Sequence, residues 1–328
     1  MKSKFASLIV ALFMVSTAYA GVIRHDIDDS LYRALAQQSQ FDPVGDLLYS
    51  TNGGRYRCSG TLISSEFVLT AAHCLDDNST TNVQFSVGGV AYNALSWFVH
   101  QSWNPLAAGY LFSGWDIALL KLDQAVSNVQ AATLYEGTNE IGQIGTHVGF
   151  GASGTGLTGD VTSSGTKRAG QNEVDEINFV RGEDHARILW TDFDAPSAMD
   201  LAEVNPDNVY GLINDDEYLQ NPIYVDTGRP SGTALDLEYA IGGGDSGGGF
   251  FIYENDEWYL AGVHSFTASI DTSGPNSSYG DFSGSTRVSS FIDWIDDTQA
   301  LMTVVSTPNT ALILFGFSIF LLRRKRLV

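Results

Sequence analysis

Gly242-Gly243-Gly244-Asp245-Ser246-Gly247-Gly248-Gly249 is the stretch on which the reading of this chain turns. It seats one serine among residues that let backbone N–H groups come close to a substrate. A serine hydroxyl alone is a weak nucleophile. It needs a base, and donors for the charge that develops on an attacked carbonyl. The chain holds a candidate for each part. Thr70-Ala71-Ala72-His73-Cys74 offers a histidine and Trp115-Asp116-Ile117-Ala118-Leu119-Leu120 an acid, so the chain order is His, Asp, Ser.

Working outward, Cys58-Ser59-Gly60-Thr61-Leu62-Ile63-Ser64 followed by Phe67-Val68-Leu69-Thr70 reads as the hairpin leading to the histidine. Gly262-Val263-His264-Ser265-Phe266 reads as a cleft strand, and Thr286-Arg287-Val288-Ser289-Ser290-Phe291-Ile292-Asp293-Trp294-Ile295 as the approach to a terminal helix. With these motifs in this order, residues 44 to 298 resemble the trypsin-like serine peptidases. Subtilisins run Asp, His, Ser and α/β-hydrolases Ser, Asp, His.

The resemblance implies an all-β fold: two six-stranded antiparallel Greek-key β-barrels with the active site between them, and a short C-terminal helix. It implies a secreted serine endopeptidase that needs no cofactor or metal and takes protein or peptide substrates. His73 would be the base, Asp116 its orienting acid and Ser246 the nucleophile, with the N–H groups of Gly244 and Ser246 as the oxyanion hole. Ser265 belongs to the cleft strand, Ala240 falls at the pocket floor, and Thr267 and Ser283 fall on its walls. Cys58 and Cys74 match the family's disulfide around the histidine. Three departures stand out. Ala240 replaces the acid that selects Lys or Arg, Gly249 replaces a proline, and no Ile-Val-Gly-Gly start supplies an amino terminus for Asp245. The competing reading is a catalytically silent relative that binds peptides or serves the envelope or matrix.

Composition agrees with a β-rich exported body. The 328 residues contain 34 glycines and 12% aromatics, with 44% hydrophobic residues to form a core. A formal net charge of −21 argues against nucleic acid as a partner, since phosphate binding needs a basic footprint. The acids Asp192, Asp194, Asp215, Asp216 and Glu217 have no regular calcium-ligand spacing. Two cysteines and one neighbouring histidine do not make a closed zinc site.

Residues 1–20 join Lys2 and Lys4 to an apolar run and Ala18-Tyr19-Ala20, the pattern of a cleaved signal peptide, which places the peptidase domain at 21–300 and the protein outside the inner membrane. Within that domain, Leu31, Leu35 and Ala36 suggest one short helical face. Alternation predicts strands at 82–88, 94–100 and 117–122. Gly, Ser and Thr from 149 to 170 suit a connection between barrels, and the acid-rich 170–222 reads as elaborated surface loops. Residues 301–328 form a separate tail: Ser306-Thr307-Pro308-Asn309-Thr310, an apolar run from Ala311 to Leu322, then Arg323-Arg324-Lys325-Arg326. This is similar to PEP-CTERM-type sorting tails of Gram-negative bacteria, with Thr-Pro-Asn in place of Pro-Glu-Pro. A run of this length covers only about 18 Å of a roughly 30 Å hydrocarbon core. The tail therefore implies transient anchoring, on a protein read as a monomer.

Overall fold

The computed structural model describes residues 21–107, 110–179, 186–204, 234–268 and 277–305. The signal peptide, the acids at 215–217 and the sorting tail from 306 onward lie outside the described residues. Among the described residues no helix is long and apolar enough to cross a membrane.

The chain opens with β1 (Gly21–Ile23) and α1 (Asp29–Ala36), then β2 (Val44–Thr51), β3 (Gly54–Leu62), β4 (Phe67–Thr70), β5 (Thr81–Val87), β6 (Val90–Val99) and β7 (Ala118–Leu122). Strands β2 to β7 close into a six-stranded barrel in the order β2-β3-β4-β7-β6-β5. The strands expected at 82–88, 94–100 and 117–122 are all present, displaced by a residue or a few at their ends. Leu47, Leu62, Val68, Phe85 and Leu120 fill the interior. Each contributes roughly 1.5–3 kcal/mol of burial.

The second half contains β8 (Thr133–Leu134), β9 (Ile144–Gly149), β10 (Ser153–Thr155), β11 (Arg168–Glu173), β12 (Glu176–Phe179), β13 (Ala186–Asp192), α2 (Ala198–Val204), β14 (Tyr239–Ala240), β15 (Gly249–Glu254), β16 (Glu257–Ala268) and β17 (Phe282–Arg287). It departs from the expected closed six-stranded barrel. The sheet has eight strands, on the path β11-β9-β15-β16-β17-β13-β12 with β8 beside β16, and its ends share no ladder. Those ends, β11 and β12, are consecutive in the chain, and the turn between them ties back through Asp175 N–H to the Trp190 carbonyl (3.0 Å). A half-barrel results. The 14-residue helix α3 (Ile292–Val305) follows. Ile295, Thr298 and Met302 lie buried along one side of it, at helical spacing.

Two local expectations are corrected. Helix α1, capped by Asp28 accepting from Ser30 N–H (2.8 Å), buries Tyr32 and Ala36 and leaves Leu31 51% exposed. The Tyr32 hydroxyl reaches the Glu238 carbonyl (3.1 Å), which sets the helix's rotation. The stretch after 170 is not all surface loop, because β13 is buried throughout and Trp190 is fully enclosed. Of the acids in this stretch, Glu173, Asp175 and Glu176 flank the β11–β12 turn, whereas Asp192 is buried at the end of β13. The buried Arg168 is neutralised by Asp29 of α1.

Candidate active site

Register explains why His73 and Asp116 meet. Strands β4 and β7 run antiparallel with Thr70 opposite Ala118. The chain leaving β4 and the chain entering β7 therefore share one end of the barrel. His73 lies three residues past Thr70 in a short 3₁₀ turn, and Asp116 two residues before Ala118. One Asp116 oxygen accepts from His73 N–H (2.9 Å), and the other meets His73 Nδ1 (2.7 Å) and accepts from the Ser265 hydroxyl (2.5 Å). Asp116 is fully buried. Burial alone would lower the His73 pKa, but the charge and hydrogen bond of Asp116, with the more distant Asp76, outweigh it and raise it above the usual value.

The serine loop is pressed against this end of the barrel from the other half. Gly247 has φ +82°, and a Cβ there would fall 2.1 Å from Thr70 Oγ1 and 2.3 Å from the Ser59 carbonyl. Only glycine fits so close an approach in that conformation. Ser59 in β3 stitches the loop to the barrel. Its N–H donates to the Ser246 carbonyl (2.7 Å), and its hydroxyl donates to the Gly244 carbonyl (3.0 Å) while accepting from Phe150 N–H (2.9 Å). The loop closes on itself and on β16 through Asp245 N–H to Gly242 O, Gly248 N–H to Asp245 O and Gly247 N–H to His264 O. These bonds leave the N–H groups of Gly244 and Ser246 without a partner among the described residues, as are His73 Nε2 and Ser246 Oγ.

Asp245 has a different set of partners from the amino terminus that the resemblance called for. Its carboxylate accepts from Gly151 N–H (2.7 Å), Gly242 N–H (2.9 Å) and the Tyr239 hydroxyl (3.4 Å). Full burial pushes it up to about 6 against the pull of these donors. Strand β1 lies between β10 and β14, and its Gly21 rests on Tyr239 so closely that a Cβ would fall 1.8 Å from the hydroxyl oxygen. Behind the loop, His264 Nε2 meets His147 Nδ1 (3.0 Å) with both rings buried. Burial holds His264 down to about 3, and His147 well below its ordinary value.

The residues expected at the specificity pocket come together only in part. Thr267 and Ser283 are cross-strand partners in β16 and β17, and the Ser283 hydroxyl accepts from Ile241 N–H (3.2 Å), next to Ala240. Ala240 and Ser283 are buried, whereas Thr267 is exposed. The Ser265 hydroxyl is committed to Asp116. Cys58 and Cys74 form the expected disulfide, with S–S 2.03 Å. Among the described residues, the one cluster with metal-ligand proximity is Cys58, His73 and Cys74, and both of its sulfurs are in that disulfide. Sequence reasoning missed the bridging role of Ser59 and the part of Tyr239. Ser59 stands inside a quoted motif, but no local signal marks Tyr239 as the partner of Asp245.

The Trypsin family model matches residues 35–185. Human chymotrypsin-like elastase family member 1 is 39% identical over 92 residues, which are 25% of this chain and 34% of that protein. The rat protein of the same name is 36% identical over 120 residues, 32% of this chain and 43% of its own length. The chain thus spans about a third to two fifths of the length of these two relatives. A broader match, to the bovine protein of that name, is 27% identical over 265 residues, 77% of this chain and 83% of that protein. A solved structure titled HL collagenase superposes with a TM-score of 0.52 at 20% identity, covering 86% of this chain and 97% of that one, and shares the fold. Over part of its length the chain is thus similar in sequence to trypsin-like proteins, and it shares the fold of the collagenase, with a closed barrel and a half-barrel.

Proposed function

We propose that this protein is a serine endopeptidase acting through an acyl-enzyme on Ser246. The observation that carries the reading is the buried Asp116, held by Ser265 and clamping His73 by both its N–H and Nδ1, at the barrel end against which the Ser246 loop is pressed. With Nδ1–H committed to Asp116, the imidazole presents a lone pair at Nε2. Nε2 takes the Ser246 hydroxyl proton as Oγ bonds to the scissile carbonyl carbon. The oxyanion so formed accepts from the N–H groups of Gly244 and Ser246, each worth about 3 kcal/mol in the transition state. His73 then returns the proton to the departing amine, and water repeats the sequence on the ester.

The absence of an acid at Ala240, and the hydroxyl-bearing walls at Thr267 and Ser283, favour cleavage after small or apolar residues over Lys or Arg. The amino-terminal sequence supports export to the periplasm, envelope or exterior, and the carboxy-terminal sequence supports sorting or anchoring. A library of internally quenched peptides tests the reading. Hydrolysis that vanishes in Ser246→Ala and follows small or apolar residues supports it. A profile dominated by cleavage after Arg or Lys overturns the specificity, and no hydrolysis of any peptide by folded, exported protein overturns the activity.

A further inference from the structure

The run of glycines ahead of the nucleophile is free to rotate on both sides of each Cα, so the peptide between Gly243 and Gly244 can turn over and carry the Gly244 N–H out of place. Each residue of the run is held by partners. Gly242 is held by the loop itself: its N–H donates to the Asp245 carboxylate (2.9 Å) and its carbonyl accepts from Asp245 N–H (2.9 Å). Gly243 is held from outside the loop. Its N–H donates to Asp160 Oδ2 (3.1 Å), and its carbonyl accepts from Ala152 N–H (2.6 Å). The Gly243 carbonyl and the Gly244 N–H belong to one peptide unit. Ala152 thus grips one end of the unit whose other end is the proposed oxyanion donor, and Asp160 grips the unit before it.

Asp160 is placed by a turn of its own. The Thr155 carbonyl accepts from the N–H groups of Thr158 and Gly159 (both 2.8 Å), and Thr162 N–H returns to the Ser153 carbonyl (2.8 Å). Val161 N–H donates to the Gly159 carbonyl (3.1 Å), a three-residue turn with Asp160 at its centre. Asp160 is half-exposed. Among the described residues its carboxylate has no hydrogen-bond partner besides Gly243 and no ion pair, so the side chain serves the serine loop and not its own turn.

We infer that Asp160 is a positioning residue for the oxyanion hole: by accepting from Gly243 N–H it keeps the Gly243–Gly244 peptide from turning over, and Gly244 N–H stays available to the oxyanion. The inference rests on the peptidase reading and adds a residue to its machinery. With the N–H of Gly243 fixed on one side and its carbonyl on the other, neither backbone angle of this residue can change far without breaking a bond. Without Asp160, only the Ala152 bond resists. The carboxylate acts through its oxygen and not its charge. A negative charge near the hole opposes the one that develops in the transition state, and water screens it at a half-exposed position. A neutral acceptor of the same shape would position the peptide as well.

Asp160→Ala and Asp160→Asn test this. On an internally quenched peptide, Asp160→Ala should lower kcat about fivefold, the net worth of one partly exposed hydrogen bond, with KM unchanged. Asp160→Asn, whose side-chain oxygen can accept the same bond, should recover most of that loss. A peptidyl trifluoromethyl ketone, whose carbonyl carbon bonds to Ser246 Oγ and places an oxyanion in the hole, should bind Asp160→Ala about fivefold more weakly than wild type. The matching trifluoromethyl alcohol, which forms no adduct, should bind both alike. An unchanged kcat in Asp160→Ala, an asparagine variant as impaired as the alanine one, a parallel loss of alcohol binding, or a urea midpoint lowered in step with kcat overturns the inference and leaves the peptidase intact. Exchange of the Gly243 amide, followed by NMR, needs no turnover. It should quicken in Asp160→Ala and stay slow in Asp160→Asn, and equal rates in wild type and Asp160→Ala overturn the anchor. Quickened exchange in a protein whose wild type hydrolyses no peptide would leave the anchor standing and overturn the peptidase reading.

Discussion

Removing one hydroxyl, that of Ser59, should loosen the serine loop without touching any reacting group. In Ser59→Ala the backbone bond from residue 59 N–H to the Ser246 carbonyl can persist, but Phe150 N–H loses its acceptor and the Gly244 carbonyl its donor. Ser59 is fully buried, so water does not readily replace the hydroxyl. Each orphaned group costs about 1–3 kcal/mol, and because Gly244 and Phe150 are half-buried the low end applies, for a total of about 2 kcal/mol. In urea, with m of about 3 kcal/mol per M, the midpoint should fall by about 0.7 M. The same change loosens Gly244, whose own N–H, one peptide unit before the freed carbonyl, is the proposed oxyanion donor, and the ceiling on that loss is the roughly 3 kcal/mol of one donor. Inactivation by a fluorophosphonate should therefore slow by about tenfold to a hundredfold. Denaturation followed by tryptophan fluorescence gives the first quantity and pseudo-first-order inactivation the second. An unchanged urea midpoint together with a wild-type inactivation rate would refute the role assigned to Ser59.

Acid should weaken the fold through its buried histidines. His264, held at about 3, and His100, held at about 4 by burial and Arg187, stay neutral in the folded chain but protonate near 6.5 when unfolded. Their stabilisation is complete above 6.5 and is lost as pH falls toward the folded values. By pH 5 each has given up about 2 kcal/mol, while Asp245, raised to about 6, returns about 1 kcal/mol over the same range. Urea midpoints should accordingly drop between pH 7 and 5, and a rise would contradict these assignments. Reduction of Cys58–Cys74, which closes a loop with a sequence separation of 16, should cost about 3 kcal/mol, seen as a lower melting temperature in dithiothreitol. In Ser265→Ala, Asp116 keeps His73 but loses a donor to a buried charge worth about 1.5–3 kcal/mol, so kcat/KM should fall about tenfold to a hundredfold with little change in KM. A variant that alters KM alone would return Ser265 to the substrate cleft.

The parts of this molecule that were legible in the sequence are those governed by short-range patterning. Alternation of apolar residues located β5, β6 and β7 to within a few positions, because one side of each strand faces the barrel interior. The glycines around Ser246 announced close backbone approach, and Gly247 against Thr70 and Ser59 is that approach. What stayed hidden depends on pairings across the fold. Nothing near Leu31 reveals that Tyr32 turns inward to reach Glu238, so of the expected face Leu35 and Ala36 pack inward while Tyr32 takes the place expected of Leu31. Arg168 looks like a surface residue until Asp29 is brought against it. Of the donors to Asp245, Gly242 stands in the motif itself, but Gly151 is far away in sequence and Tyr239 is unmarked by any motif. Ser265 was assigned to the cleft from its strand, whereas its hydroxyl faces the acid behind the histidine.

The most direct test of the central claim is the intact mass of exported protein after reaction with a fluorophosphonate, with the adduct mapped by peptide sequencing. The account predicts one adduct per molecule, on Ser246, formed rapidly in the wild type, slowed by orders of magnitude in His73→Ala and absent in Ser246→Ala. An adduct on another residue, or none on folded protein, would contradict it.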